Sequence, residues 1–211
     1  MSAITASRRR ILASAATLAA AALLPPLARA AVSVGQGAPD FTLQDAGGKS
    51  VRLADFKGKV VVLEWTNPGC PFVRKHYDSG NMGATQKLAR EQGAVWLSIN
   101  STAKDHPDYL PPPQLAAWLK ERHGAATAVL MDEDGAVGQS YGARTTPHMF
   151  IIDANGTLVY MGAIDSIPSA RVADIEKAAN HVKAALADLA AGRPVAAPVT
   201  QAYGCSVKYK S

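Results

Sequence analysis

Short apolar runs alternate with amphipathic stretches along the chain, and this pattern predicts an alternation of strands and helices. Two continuous apolar runs, residues 60–65 and 94–101, predict strands that are buried on both faces, as in sheets covered by helices. Residues 35–45 form an extended entry segment, and the Gly-containing turn at 46–49 predicts a hairpin with a second strand at 50–53. An N-terminal strand extension is therefore expected before the central strands.

Helices are predicted after the buried strands. Residues 71–92 predict a helix that is disturbed near Ser79 and Gly80, and residues 114–123 predict a helix that Gly124 ends as a C-cap. The remaining predicted elements are a Pro-rich loop at 102–113, a strand at 127–132, a short helix at 135–141, and a hairpin of strands at 148–153 and 157–163.

The last predicted helix has the clearest periodicity. Its apolar positions recur at alternating steps of three and four from Val172 to Leu189, which favours packing against a sheet over a dimer zipper. The order strand–helix–strand–helix, then an antiparallel hairpin and a final helix, predicts an α/β fold with a mixed central sheet flanked by helices. One domain is expected over residues 31–192, followed by a C-terminal tail at 193–211.

The first thirty residues have the pattern of an export signal. Three arginines at 8–10 precede an Ala/Leu-rich stretch, and residues 28–30 supply a small-x-small cleavage pattern. We therefore expect a twin-arginine signal peptide over residues 1–30 and a periplasmic mature chain; a retained membrane anchor is disfavoured because the prolines at 25–26 interrupt the apolar run. The four arginines of this segment carry four of the five net positive charges. The nearly neutral remainder argues against nucleic acid or stable membrane association.

Cys70 and Cys205 are the two cysteines of the chain. Cys70 follows the buried run at 60–65 across a Pro/Gly turn, and Pro71 suits the first turn of a helix. A thiol at that position lies over unpaired N–H groups and the positive end of the helix dipole, which favours the nucleophilic thiolate. A domain of this size folds without disulfides. The two cysteines of an exported chain can therefore be redox partners.

Three motifs, together with the order of elements, resemble the thioredoxin superfamily. They are the opening Gly-Gln-Gly-Ala-Pro-Asp-Phe at 35–41, the Trp-x-x-x-x-Cys-Pro block at 65–71, and Thr-Thr-Pro at 145–147. The likeness is greatest to the redoxin or peroxiredoxin-like branch, the alkyl hydroperoxide reductase/thiol-specific antioxidant type. It implies a thioredoxin-like fold, with a cis peptide bond between Thr146 and Pro147 facing the active cysteine.

The resemblance also draws attention to Glu64. It lies six residues before Cys70, the spacing at which thioredoxins keep a buried acid that accepts protons from the thiols. A carboxyl group in apolar surroundings holds its proton to higher pH, so such an acid is a candidate proton shuttle. The alternative is a strand-end glutamate that reaches solvent or pairs with Lys57 or Lys59.

The chain departs from both branches of the superfamily near Cys70. Thioredoxins have a second cysteine three residues later, where this chain has Val73, so an intramolecular disulfide must use Cys205. Peroxiredoxins place Thr or Ser three residues before the cysteine, where this chain has Asn67, preceded by Thr66. An Asn amide can still hydrogen-bond a thiolate or a peroxide oxygen, so Thr66 and Asn67 are candidate substrate-positioning residues.

Cys205 follows a Pro-containing linker, in a tail whose Tyr203, Val207 and Tyr209 can anchor it to the domain. Such a tail is expected to be mobile enough to bring a resolving thiol to Cys70 and to leave again. A permanent structural disulfide and an unpaired thiol are the alternatives.

Three functions are compatible with these residues. The first is a thiol peroxidase, in which peroxide oxidises Cys70 to a sulfenic acid that condenses with Cys205, with Arg144 or Arg74 as the candidate to polarise the peroxide. The second is a thiol–disulfide oxidoreductase acting on protein disulfides, whose substrate peptide lies along Pro147. In both, an external dithiol or thioredoxin-like protein restores the thiols, and no cofactor is expected.

The third function is a non-enzymatic module that binds partners or carries a metal. His76 and His148 are the histidines nearest the motifs, but the Cys-x-x-x-Cys spacing of thioredoxin-fold metallochaperones is missing. We therefore predict no metal site and expect both histidines to be surface or packing residues.

Overall fold

The computed structural model describes residues 31–210, so the predicted signal peptide lies outside the described residues. The strands are β1 (Thr42–Asp45), β2 (Ser50–Arg52), β3 (Val61–Trp65), β4 (Val95–Asn100), β5 (Ala128–Met131), β6 (Thr145–Thr146), β7 (His148–Ile152), β8 (Leu158–Gly162) and β9 (Cys205–Ser206). The α-helices are α1 (Pro71–Asp78), α2 (Asn81–Glu91), α3 (Pro112–Glu121), α4 (Ala136–Tyr141) and α5 (His181–Ala190). Short 3-10 helices cover Leu53–Phe56 and Val172–Lys177.

A seven-stranded mixed sheet, in the order β2-β1-β5-β4-β3-β7-β8, forms the centre of the fold. β3 pairs in parallel with β4 and antiparallel with β7, and β4 pairs in parallel with β5. The N-terminal hairpin of β1 and β2 extends the sheet beyond β5. The predicted α/β fold with a mixed central sheet and an N-terminal strand extension is confirmed.

The strand that leads to Cys70 is buried on both faces, as its apolar run predicts. Val62 packs with α1, α2 and α5 on one face, whereas Leu63 and Trp65 join the core on the other face. There the Trp65 ring lies 5.5 Å from the Tyr141 ring and 5.1 Å from the Phe150 ring, measured between centroids. Burying one such side chain contributes roughly 1.5–3 kcal/mol. The end of β3 is therefore a firm base for the turn that carries the cysteine.

Two helices differ from their sequence predictions in instructive ways. The helix over 71–92 is divided into α1 and α2 at Gly80, whose φ of 74° is left-handed, so the predicted disturbance is a complete break. The prediction of one continuous last helix from Val172 is wrong. Asn180 begins α5 as its N-cap by accepting a hydrogen bond from the Lys183 N–H (2.9 Å), and the Ala179 carbonyl accepts one from the Ser166 N–H (3.0 Å). Ala178 and Asn180 are therefore extended, and residues 172–177 form the separate 3-10 helix.

The C-terminal tail is docked on the domain. Val199 forms a parallel bridge with Met161 of β8, and β9 pairs antiparallel with β6. The Tyr209 hydroxyl donates to the Ala143 carbonyl (2.7 Å), and Val207 packs in the core. The tail thus returns Cys205 to the carboxyl end of β3. In the part of the chain that the structure describes, no helix combines the length and the apolar character needed to cross a bilayer.

Candidate active site

Cys70 occupies the N-cap of α1, and Pro71 takes the first turn of the helix, as the sequence predicts. Its side chain is almost fully buried, with 2% of its surface exposed. The Cys70 backbone N–H donates to the Asn67 carbonyl (3.0 Å), which closes the turn between β3 and α1. Gly69 in this turn lies against Asp108, where a Cβ atom would collide with the Asp108 carboxyl group. This turn and its contact with Asp108 therefore fix the direction of the Cys70 side chain.

The Thr146–Pro147 peptide bond is cis, as the resemblance implies. The Cys70 Sγ donates a hydrogen bond to the Thr146 carbonyl oxygen at 3.0 Å. The hydroxyl oxygens of Thr146 and Thr66 are buried, and neither has a hydrogen-bond partner within residues 31–210. Because an unpaired buried hydroxyl is costly, these two groups are candidates for binding a substrate atom.

Cys205 contacts Cys70 from the tail. In the two-residue ladder of β6 and β9, Thr146 lies opposite Cys205 and Thr145 lies opposite Ser206. Both thiols are free, and the Cys205 side chain packs against the buried cluster that includes Cys70. Burial, and in second place the neighbouring Cys70 side chain, raise the pKa of the Cys205 thiol well above its ordinary value.

Glu64 lies at the centre of a buried hydrogen-bond network. The carboxylate oxygens accept four hydrogen bonds, from Tyr77 Oη (2.8 Å), Gln86 Nε2 (3.0 Å), Trp96 Nε1 (2.8 Å) and Ser98 Oγ (2.8 Å). Burial and the neighbouring carboxylate raise the pKa of Tyr77 well above its ordinary value, so its hydroxyl keeps the proton that it donates. The side chain of Glu64 is fully buried. The alternative that Glu64 reaches solvent or pairs with the strand-end lysines is therefore wrong.

The Asn67 side chain links its turn to the loop after β4. Its Nδ2 donates to Thr102 Oγ1 (2.9 Å), and its Oδ1 accepts from the Gly69 N–H (2.6 Å). Each end of the amide therefore has a partner that holds the turn, and neither partner is the Cys70 thiol. Asn67 shapes the turn that presents the cysteine.

The two arginines considered for a peroxide site lie at the surface. Arg74 is exposed and donates from Nε to the Pro68 carbonyl (2.7 Å). Arg144 is also exposed, and its backbone N–H donates to His148 Nδ1 (3.3 Å). In the described part of the chain, neither guanidinium hydrogen-bonds to Cys70.

Both histidines near the motifs are buried, so of the two expectations, surface or packing, they are packing residues. The His148 ring packs against the Phe150 ring, with 4.4 Å between centroids. Burial lowers the pKa of His76 and the pKa of His148 to about 4, so both rings are neutral at pH 7. Within residues 31–210, no group of three or more His, Cys, Asp or Glu side chains has the arrangement of a metal site.

A buried polar cluster beside the thiols was missed by sequence reasoning. We call it the Asp165 cluster; its members are Lys75, His76, Asp165 and Tyr203. Lys75 Nζ lies 3.0 Å from Asp165 Oδ2, and both side chains are buried. The Tyr203 hydroxyl donates to Asp165 Oδ1 and lies 3.2 Å from His76 Nε2. The ion pair joins α1 to a residue 90 positions later, so no local charge pattern in the sequence predicts it.

Comparison with known proteins adds three likenesses and one family match. The family model described as AhpC/TSA family matches residues 34–161, a range that ends before the tail. The thiol-disulfide oxidoreductase ResA of Geobacillus thermodenitrificans is 30% identical over 129 residues, which cover 61% of this chain and 68% of that protein. The thiol:disulfide interchange protein DsbE of Vibrio cholerae is 30% identical over 131 residues, covering 61% of this chain and 64% of that protein. A solved structure of a hypothetical protein of Sinorhizobium meliloti has a TM-score of 0.73 at 25% identity, and the match covers 86% of this chain and 97% of that one.

Proposed function

Because the chain belongs to the AhpC/TSA family, we propose that it is an oxidoreductase that exchanges its two thiols with disulfides of other proteins. The observation that carries this proposal is that the tail lays Cys205 against Cys70, beside the carbonyl group of Thr146. ResA and DsbE, two similar proteins, are named for the same chemistry. Thiol–disulfide exchange is therefore favoured over a thiol peroxidase, the first of the three functions that the sequence suggests.

The surroundings of Cys70 also favour a disulfide substrate. A positive charge to polarise a peroxide O–O bond is not held at Cys70, because both candidate arginines, Arg74 and Arg144, are exposed. The Asn67 amide already holds Gly69 and Thr102. The buried hydroxyl groups of Thr66 and Thr146 have no partner within residues 31–210, and we propose that they bind a peptide that lies along Pro147. We propose Thr66, Thr146 and Pro147 as the substrate-positioning residues.

The two thiols have different roles in the proposed reaction. Cys70 is proposed to attack first, because it lies at the N-cap of α1, where the helix dipole favours an anion, whereas burial raises the pKa of Cys205. The Cys70 thiolate forms a bond to one sulfur of the substrate disulfide, and the other sulfur leaves as a thiolate that takes a proton from solvent. Cys205 then gives up its proton, attacks Cys70 Sγ and displaces the second substrate thiol. One substrate disulfide is reduced, and one Cys70–Cys205 disulfide is formed.

Regeneration completes the cycle. An external dithiol or thioredoxin-like protein reduces the Cys70–Cys205 disulfide by the same two exchanges in reverse order. Reduction by a dithiol requires no cofactor. We further propose that the mature chain acts in the periplasm after export by the signal peptide predicted over residues 1–30.

The choice between disulfide and peroxide can be tested with the reduced mature protein. We expect its rate of reaction with a disulfide in an unfolded protein to be at least about 100-fold higher than that of a free thiol such as glutathione at the same pH. The reason is that Cys70 is held at a helix N-cap. Its reaction with hydrogen peroxide, compared per thiolate, should match that of the free thiol. Stopped-flow Trp fluorescence and mass spectrometry measure both reactions. The reverse order of rates would restore the peroxidase hypothesis.

Glu64 is proposed to accept the Cys205 proton through an intervening water, because its four hydrogen bonds go to other side chains. We expect Glu64→Gln to slow formation of the Cys70–Cys205 disulfide by roughly 100-fold at pH 7, the lower end of acid–base effects. The rate should recover at higher pH, where solvent removes the proton. Quenched-flow trapping of the mixed disulfide measures this step.

The control for this variant is Ser98→Ala, which removes one donor to Glu64 and leaves its charge intact. If both variants slow disulfide formation equally, Glu64 contributes only to the fold. The same conclusion holds if the slow step in Glu64→Gln does not respond to pH.

A further inference from the structure

The tail segment that carries Cys205 is fixed at both of its ends. On one side, the Thr200 N–H donates to a carbonyl of β8 at 3.1 Å. On the other side, the Val207 N–H donates to the Arg144 carbonyl at 3.0 Å. Residues 201–206 therefore form a short segment that can move while its flanks stay docked.

Two kinds of contact hold this segment against the domain. One is the ladder of β6 and β9, which is only two residues long. The other is the Tyr203 side chain, whose hydroxyl binds Asp165 and His76 and whose ring packs edge-on against Phe72 with 5.8 Å between centroids. Lys75 Nζ lies 5.6 Å from the centre of the same ring. Tyr203 is thus the strongest side-chain anchor of the segment.

Gly204 links this anchor to the thiol. Its φ of 137° is a conformation for glycine, and a Cβ atom there would collide with the Thr146 carbonyl oxygen. The same oxygen accepts the hydrogen bond from Cys70. Tyr203 is held in the Asp165 cluster, and Gly204 lies over this carbonyl. Together these contacts place Cys205 against Cys70.

The closed tail leaves no path to the nucleophile. Cys70 is 2% exposed, yet its attack on a protein disulfide requires direct contact between sulfur atoms. The second step needs the opposite arrangement, with Cys205 against Cys70. Tyr203 also lines a cavity of about 260 Å³, together with residues that include Asp165 and Gln201. The Tyr203 side chain therefore has an unfilled cavity beside it.

We propose that Tyr203 is the positioning residue of the tail: anchored in the Asp165 cluster it holds Cys205 at Cys70, and its release opens Cys70 to substrate. The inference rests on the proposed function, because it assigns the open and closed positions of residues 201–206 to the two steps of exchange. The substrate is then a protein disulfide that enters where this segment lies in the closed form.

The opening can be measured without any substrate. In the full mature chain with Cys205→Ser, Cys70 is the only thiol, and its rate of alkylation by iodoacetamide reports how often the segment opens. Tyr203→Phe removes the hydroxyl and keeps the ring on Phe72. We expect alkylation to become about tenfold faster, the factor that corresponds to losing one hydrogen bond to a charged acceptor. With both cysteines present, Tyr203→Phe should also lengthen the life of the mixed disulfide about tenfold.

Two further variants make the test specific. Tyr209→Phe is the matched control, because it removes a tail hydroxyl that donates to Ala143 outside the moving segment, and it should leave the alkylation rate unchanged. Gly204→Ala displaces the segment in another way and should accelerate alkylation as Tyr203→Phe does. Circular dichroism verifies that each variant is folded. An unchanged rate in Tyr203→Phe, or equal acceleration in Tyr209→Phe, would overturn the proposal.

The result is separable from that of the proposed function. If Tyr203→Phe speeds alkylation but the wild-type protein does not react with protein disulfides, the tail is a gate and the proposed substrate is wrong. If the wild-type protein exchanges disulfides and Tyr203→Phe alters neither alkylation nor the mixed disulfide, the function stands and the gate is wrong.

Discussion

Cys70→Ser is expected to lose thiol–disulfide exchange by more than about 1,000-fold, the scale on which covalent catalysis depends on its nucleophile. A serine hydroxyl is not ionised at neutral pH and cannot form a disulfide. The variant should remain folded, because a hydroxyl at this position can also donate to the Thr146 carbonyl. Turnover of an unfolded protein disulfide, coupled to an excess of dithiol, measures the loss.

Cys205→Ser is the matched variant, since it removes the other thiol of the same pair. We expect Cys70 to attack once and then to stop as a mixed disulfide, because the second displacement lacks its nucleophile. Mass spectrometry without reductant should show one substrate molecule attached per chain. Turnover by Cys70→Ser would contradict the assignment of the nucleophile. Wild-type turnover by Cys205→Ser would contradict its role as the resolving thiol.

The sequence predicted those features that depend on neighbouring residues. The apolar run before Cys70 became β3, Pro71 became the first residue of α1, and the Thr-Thr-Pro motif supplied the cis bond at Pro147. The break at Gly80 was also foreseen in position, because glycine adopts the left-handed conformation that ends one helix and starts another. Local periodicity and turn chemistry determine the strand, the start of α1 and the break at Gly80, whereas the cis bond was implied by the family resemblance.

The features that were missed depend on contacts between distant parts of the chain. The last helix was predicted too long because side-chain periodicity continues through 172–179, whereas bonds to Ser166 and the cap at Asn180 decide where the helix begins. The burial of Lys75 could not be foreseen, since its partner Asp165 lies 90 residues later in the sequence. The docking of the tail through its tyrosines was predicted, but the partner of Tyr203, the carboxylate of that same pair, was not.

Asp165→Asn is expected to lower the free energy of unfolding by about 3–5 kcal/mol, the cost of leaving one partner of a buried ion pair without the other. Lys75 and Asp165 have side-chain exposures of 0% and 2%, so the Lys75 ammonium would remain in the interior without a counter-charge. The Tyr203 hydroxyl and the Ile167 N–H would also lose a charged acceptor. Urea denaturation of the reduced protein at pH 7, followed by Trp fluorescence, measures the change.

Asp55→Asn is the control, because Asp55 pairs with Arg52 at 2.7 Å while both side chains are exposed, so its loss should leave the unfolding midpoint unchanged. The double variant Lys75→Met with Asp165→Asn removes both charges and should recover much of the stability lost by Asp165→Asn alone. If the double variant loses as much as the two single variants added together, the charges are not coupled. The ion pair then cannot be what holds Asp165 in place for Tyr203.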